Sequence, residues 1–118
     1  MSFEIEKNIE GSLIHFKVAG KILSTEDVEE MDAALYDVID NTPSKPLIIL
    51  DLEDLSHTNS TGLNHFIRYF TKSRNKGGEL VMINIGSGIK KLFEITKLIE
   101  VFTIAESKEK AVALLNDL

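Results

Sequence analysis

The chain has 118 residues, 43% of them apolar and none of them cysteine, which allows a core and removes disulfides, thiolate metal sites and cysteine nucleophiles. Its net charge of −6 and pI near 5.0 argue against nucleic acid, whose phosphates select basic faces, and against anionic membrane surfaces. The length is near the commonest domain size, and no linker, repeat or low-complexity segment interrupts it, so one domain over residues 1–118 is expected. Glu4, Glu6 and Lys7 break any charged-then-apolar leader, and apolar stretches such as Leu47 to Leu50 fall far short of the roughly 20 residues of a spanning helix. The expectation is a cytoplasmic protein.

Residues 3–7 and 12–18 alternate apolar and polar, with Leu13, His15 and Lys17 on one face and Ile14, Phe16 and Val18 on the other. A period of two predicts two half-buried strands joined by a turn at Asn8 to Gly11, with Gly20 ending the unit. Ser24 then caps a helix, with Asp27 three residues on and Val28, Met31, Leu35, Val38 and Ile39 at helical spacing. Asn41, Thr42 and Pro43 stop it. Residues 47–52 form an apolar run without alternation, as in a central strand covered on both faces.

A second helix is expected from near Thr61, turning Leu63, Phe66, Ile67 and Phe70 inward and stopping at Gly77-Gly78. Residues 79–85 read as another buried strand. Gly86 to Gly88 turn the chain, with Ser87 as cap, into a third helix bearing Ile89, Leu92, Phe93, Ile95 and Thr96. Val101 to Ile104 read as a short edge strand. A final helix from about Ser107 buries Ala111, Val112, Leu114, Leu115 and Leu118. Helices alternating with strands after a hairpin predict the α/β class, with about five strands in a mixed sheet and about four helices.

The strongest chemical candidate is the turn Asn59-Ser60-Thr61-Gly62, which opens the second helix. Helix N-termini present unpaired N–H groups and favour negative charge, so a phosphate is tolerated there. Asn, Ser and Thr are also ordinary N-caps, and Gly62 permits close packing. One capping residue suffices, however, and here three stand in a row. Gly86-Ser87-Gly88 lacks the Lys-then-Ser/Thr ending of a P-loop and the spacing of a dinucleotide fingerprint. Asp51, His57 and Ser60 do not make a hydrolase signature, since Thr58 and Gly62 flank Ser60 where a Gly-x-Ser-x-Gly elbow needs glycine on both sides. His57 and His65 are eight residues apart on different elements, which does not suit a metal site, and His15 reads as a partly exposed strand residue. Glu26, Asp27, Glu29, Glu30 and Asp32 read as a solvated helix face. No metal or cofactor is expected.

Three stretches together resemble the STAS domains, specifically the stand-alone anti-sigma factor antagonists of bacteria. Leu50-Asp51-Leu52 through Asn59-Ser60-Thr61-Gly62-Leu63 resembles the family's strand and Asp-Ser-Ser/Thr-Gly-Leu signature. Gly77-Gly78-Glu79-Leu80-Val81 with Asn84 resembles its Gly-Gly lead-in to a strand, and Lys90-Lys91-Leu92-Phe93-Glu94 through Leu98 its third helix. The resemblance implies a STAS fold and a non-catalytic regulator. Its partner would be an anti-sigma factor that is also a serine-protein kinase, with a serine phosphatase as a further partner. The position matching the family's phosphorylated hydroxyl is Ser60, with Thr61 as the second choice. The partner-binding face it implies comprises Thr58, Asn59, Ser60, Thr61, Gly62, Asn64 and Ser87. Where the family commonly has Asp, Asn59 keeps the capping geometry and drops the charge. The alternative within the family is a non-phosphorylated interaction subunit of a lipid-transport ATPase or of a stress-sensing scaffold.

Overall fold

The computed structural model describes residues 3–118; Met1 and Ser2, counted in the expected domain, lie outside the described residues. Strands β1 (Phe3–Glu10) and β2 (Leu13–Ile22) form the expected hairpin, which is antiparallel. The turn is confined to Gly11, φ 64°, and Ser12 instead of spanning Asn8 to Gly11, because Asn8, Ile9 and Glu10 stay paired with His15, Ile14 and Leu13. β3 (Leu47–Asp51), β5 (Glu79–Ile83) and β6 (Thr103–Ile104) continue the sheet in parallel, giving the order β1-β2-β3-β5-β6. A sixth strand, β4 (Leu55–Thr58), pairs in parallel with the far end of β2. The fold is the expected α/β sheet, with β4 as an addition.

Gly20 does not end the hairpin. At φ 88° it forms an irregularity where β2 changes neighbour from β3 to β4, and it receives Ser56 Oγ on its carbonyl and offers its N–H to Asp54. Only glycine reaches that φ without strain. The strand therefore runs on to Ile22.

Helices α1 (Thr25–Asn41), α2 (Ser60–Asn75) and α3 (Ser87–Ile95) share one core with Phe16, Leu50 and Met82, to which they contribute Leu35, Phe66 and Phe93. On the other face α4 (Lys108–Asn116) packs Ala111 and Leu115 on Leu13, Leu47, Ile49, Val81 and Ile83. Both faces of β3 and β5 are thus covered, as a run without alternation requires. Ser24 forms a full capping box with Asp27, and all five expected apolar positions of α1 are buried.

Several boundaries move. β5 stops at Ile83 because Asn84 turns into the left-handed region at φ 56°. A 3₁₀ turn over Leu98–Glu100 shortens the edge strand to two residues. Ile95, Leu114 and Leu118 are exposed, since α3 and α4 each bury only two residues fully, Ile89 and Phe93 or Ala111 and Leu115. Ile67 is half-buried, and the unforeseen Tyr69 is the largest fully buried side chain of α2.

Candidate partner-binding site

Thr58 closes β4 and donates from Oγ1 to the Ile22 carbonyl at 3.4 Å, which fixes the chain before it turns. Asn59 is the N-cap of α2: its Oδ1 accepts from Gly62 N–H at 3.1 Å, and its carbonyl accepts from Leu63 N–H at 3.1 Å. The cap is therefore complete without either hydroxyl. Ser60 and Thr61 occupy the first turn, both exposed, and among the described residues neither hydroxyl makes a hydrogen bond. The first turn of α2 also carries no acidic residue, unlike that of α1 with Glu26 and Asp27, so its positive end is uncompensated.

Gly62 is buried, and a Cβ there would collide with Thr58 Oγ1 and press on Ile22 Cγ2. The glycine is what lets the first turn of α2 lie on β4. Asn64, one turn further, is exposed on the same helix. Of these six residues Ser60, Thr61 and Asn64 are exposed, Thr58 and Asn59 are half-buried, and Gly62 lies beneath them.

Ser87 stands on a separate turn at the same edge of the sheet, beyond the end of β5. It is not the cap of α3. Gly86 takes that position, its carbonyl accepting from Lys90 N–H at 2.8 Å with no side-chain cap, so the helix starts one residue earlier and Ser87 becomes its first exposed residue. α3 packs against β4, which sets the two turns on neighbouring elements.

Two polar clusters lie near the site, one joining α1 to α2 and one at the end of β3. On α1, Asp32 Oδ1 lies 2.8 Å from His65 Nδ1 and accepts from Tyr69 Oη at 2.5 Å, while Tyr36 meets Tyr69 edge-on at 5.4 Å. A carboxylate only accepts, so the His65 ring holds its proton on Nδ1. Burial first, and then the bond to Asp32, push the Tyr69 hydroxyl well above the ordinary phenol range. One-turn spacing of Asp32 and Tyr36 on α1, and of His65 and Tyr69 on α2, was the signal for this network. The second cluster gathers around Asp51 at the end of β3. His15 Nε2 lies 3.6 Å from Asp51 Oδ2, and His57 stays exposed on β4. Asp51 and His57 are thus not joined to Ser60 in a hydrolase triad. Among the described residues no group of three or more His, Cys, Asp or Glu is placed to hold a metal ion, and no helix is long and apolar enough to cross a membrane.

A STAS domain family model matches residues 4–111. The chain belongs to the STAS domain family. This STAS domain is 27% identical over 92 residues to BtrV of Bordetella bronchiseptica, a protein named as a candidate anti-sigma factor antagonist, with 78% of each chain covered. Among solved structures it superposes on an anti-sigma factor antagonist from Mycobacterium paratuberculosis with a TM-score of 0.83 at 16% identity, covering 98% of this chain and 95% of the other. It also superposes on SpoIIAA, a Bacillus cell fate determinant. The TM-score is 0.77 at 19% identity for the unphosphorylated form, over 98% of this chain and 97% of that one. For the phosphorylated form it is 0.69 at 20%, over 94% and 96%. At these identities the structural likenesses bear on fold alone.

Proposed function

We propose that this STAS domain is an anti-sigma factor antagonist. It binds an anti-sigma factor that is also a serine kinase, so that a sigma factor goes free, and it loses that binding when Ser60 is phosphorylated. The name of BtrV supports the first part, and the chemistry of the Ser60 turn motivates the second. The observation that carries the reading is the Ser60 hydroxyl, exposed and unbonded on a helix end that Asn59 already caps.

The chemistry belongs to the kinase. Ser60 Oγ attacks the γ-phosphorus of ATP, its proton passes to the kinase's base and ADP leaves; a serine phosphatase reverses the modification by hydrolysis. The STAS domain supplies the acceptor and the surface and is not itself an enzyme. Phosphorylation adds about −1.5 to −2 charges at a positive helix end, so the fold tolerates it. The interface does not, because a bulky dianion must be desolvated or excluded there. A 1,000-fold loss of affinity needs only about 4 kcal/mol. Such a protein works in the cytoplasm, beside its kinase.

Asn59 favours a second reading. It completes the cap without the carboxylate common in the family, and a non-phosphorylated subunit of a lipid-transport ATPase or stress-sensing scaffold needs nothing more. Incubation with serine-kinase anti-sigma factors and ATP, read by intact mass, separates the two. The expected result is one phosphoryl group on the wild type and none on Ser60→Ala. Label lost only in Thr61→Ala moves the acceptor to Thr61. No label on either residue sinks the switch.

A further inference from the structure

Asp51 is 6% exposed at the C-terminal end of β3, beside Ile83 in register and on the same sheet face as Leu47 and Ile49. A carboxylate in such a place costs desolvation, and a well-packed apolar residue often serves stability equally well. The carboxylate has no full ionic partner either. His15 Nε2 is buried and makes no hydrogen bond, standing 3.6 Å from Oδ2, and Lys17, opposite Asp51 in register, turns to Asp54 at 3.2 Å. The bonds Asp51 does accept go elsewhere. Its Oδ1 receives Glu53 N–H at 3.0 Å and Asn84 Nδ2 at 3.2 Å.

Those two donors begin two different loops. Glu53 opens the segment that becomes β4 and ends at Asn59 and Ser60; Asn84 opens the segment that ends at Gly86 and Ser87. Asn84 reaches back because its backbone is left-handed, a conformation Asn accepts more readily than most side chains. A backbone bond from Leu52 N–H to the Ile83 carbonyl at 3.1 Å runs beside this tie. One oxygen atom therefore holds the roots of both surface turns.

We infer that Asp51 is a positioning residue that fixes the Ser60 turn and the Ser87 turn as one surface, so that partner affinity depends on a carboxylate the partner never touches. The inference rests on the antagonist reading for its partner, but the tie itself exists in the free protein. Without it each turn still forms, since the cap of α2 lies within its own loop, but their relative placement is no longer held. A docking surface misplaced by about 1 Å loses much of its contact energy.

Asn84→Gly is the cleanest probe, because glycine keeps the left-handed backbone and removes only the amide donor. In the free protein, hydrogen exchange of the Leu52 amide, which donates to the Ile83 carbonyl beside the tie, is expected to quicken at least about tenfold, while the capped Gly62 and Leu63 amides and the amides of α4 stay as they were. With purified serine-kinase anti-sigma factors as probes, binding is expected to weaken at least about tenfold in Asn84→Gly and in Asp51→Leu. Asp51→Asn, which keeps the accepting oxygen, should stay within about threefold. Unchanged exchange at Leu52, or unchanged affinity of Asn84→Gly, overturns the inference, as does an Asp51→Asn loss equal to that of Asp51→Leu. If the wild type binds none of these factors, the antagonist reading fails and the exchange rates alone decide whether the tie exists.

Discussion

The first turns of α2 and α3 look alike in composition and are built differently. Each follows a parallel strand, each carries a serine, and each has glycine within two residues of that serine. At α2 every piece is determined: Asn59 caps, Thr58 is bonded to the neighbouring strand, and Gly62 has no room for a Cβ. At α3 there is no side-chain cap, and Cβ atoms on Gly86 and Gly88 would meet nothing within 4 Å. The difference teaches that serine and glycine at a helix start say little by themselves. What marks α2 is a hydroxyl left over after all structural duties have been filled.

Gly62→Ala should break this arrangement most. Overpacking against Thr58 and Ile22 is expected to cost about 1–3 kcal/mol by denaturant melt, with part recovered in Thr58→Ala/Gly62→Ala. Gly88→Ala, facing open space in α3, should be neutral or slightly stabilising, and equal losses at the two glycines would erase the contrast.

Next in size is the anchoring of α2 by Tyr69. Burial raises its folded-state pKa above the unfolded value of 10.0, so its contribution to stability is full below about pH 10 and is lost as pH rises past it. Thermal midpoints taken from pH 8 upward should fall less steeply on the alkaline side in Tyr69→Phe than in the wild type. Identical alkaline slopes would mean that Tyr69 is not held as described.

The smallest contrast lies in the caps. Asn59→Ala should cost about 1 kcal/mol and Ser87→Ala within about 0.5 kcal/mol, because only the first removes a capping bond. A larger loss at Ser87 would show that α3 has a cap after all.

Periodicity made most of this molecule readable. The helical stripe of α1 and the apolar run of β3 state their burial directly, because a repeat of 3.6 marks a one-sided helix and an unbroken run of 5 residues is of strand length. β4 was unreadable for the opposite reason. Only Leu55 of Leu55–Thr58 is buried, and its pairing depends on a distortion at Gly20, 35 residues earlier in the chain. Leu114 and Leu118 misled because the second sheet face is narrow, and Ala111 with Leu115 already covers it. At the site, the turn itself was legible from Asn59 to Gly62. The tie at Asp51 was not, since nothing in the sequence says that Glu53 and Asn84 would meet one carboxylate.

The most direct test of the account compares Ser60→Asp with Ser87→Asp in binding to the serine-kinase anti-sigma factor that the wild type binds. A charge at either helix start is compatible with the fold, so both variants should melt within a few degrees of the wild type. The account predicts a loss of about 1,000-fold for Ser60→Asp and at most about tenfold for Ser87→Asp. Wild-type affinity in Ser60→Asp, or equal losses at the two positions, would contradict it.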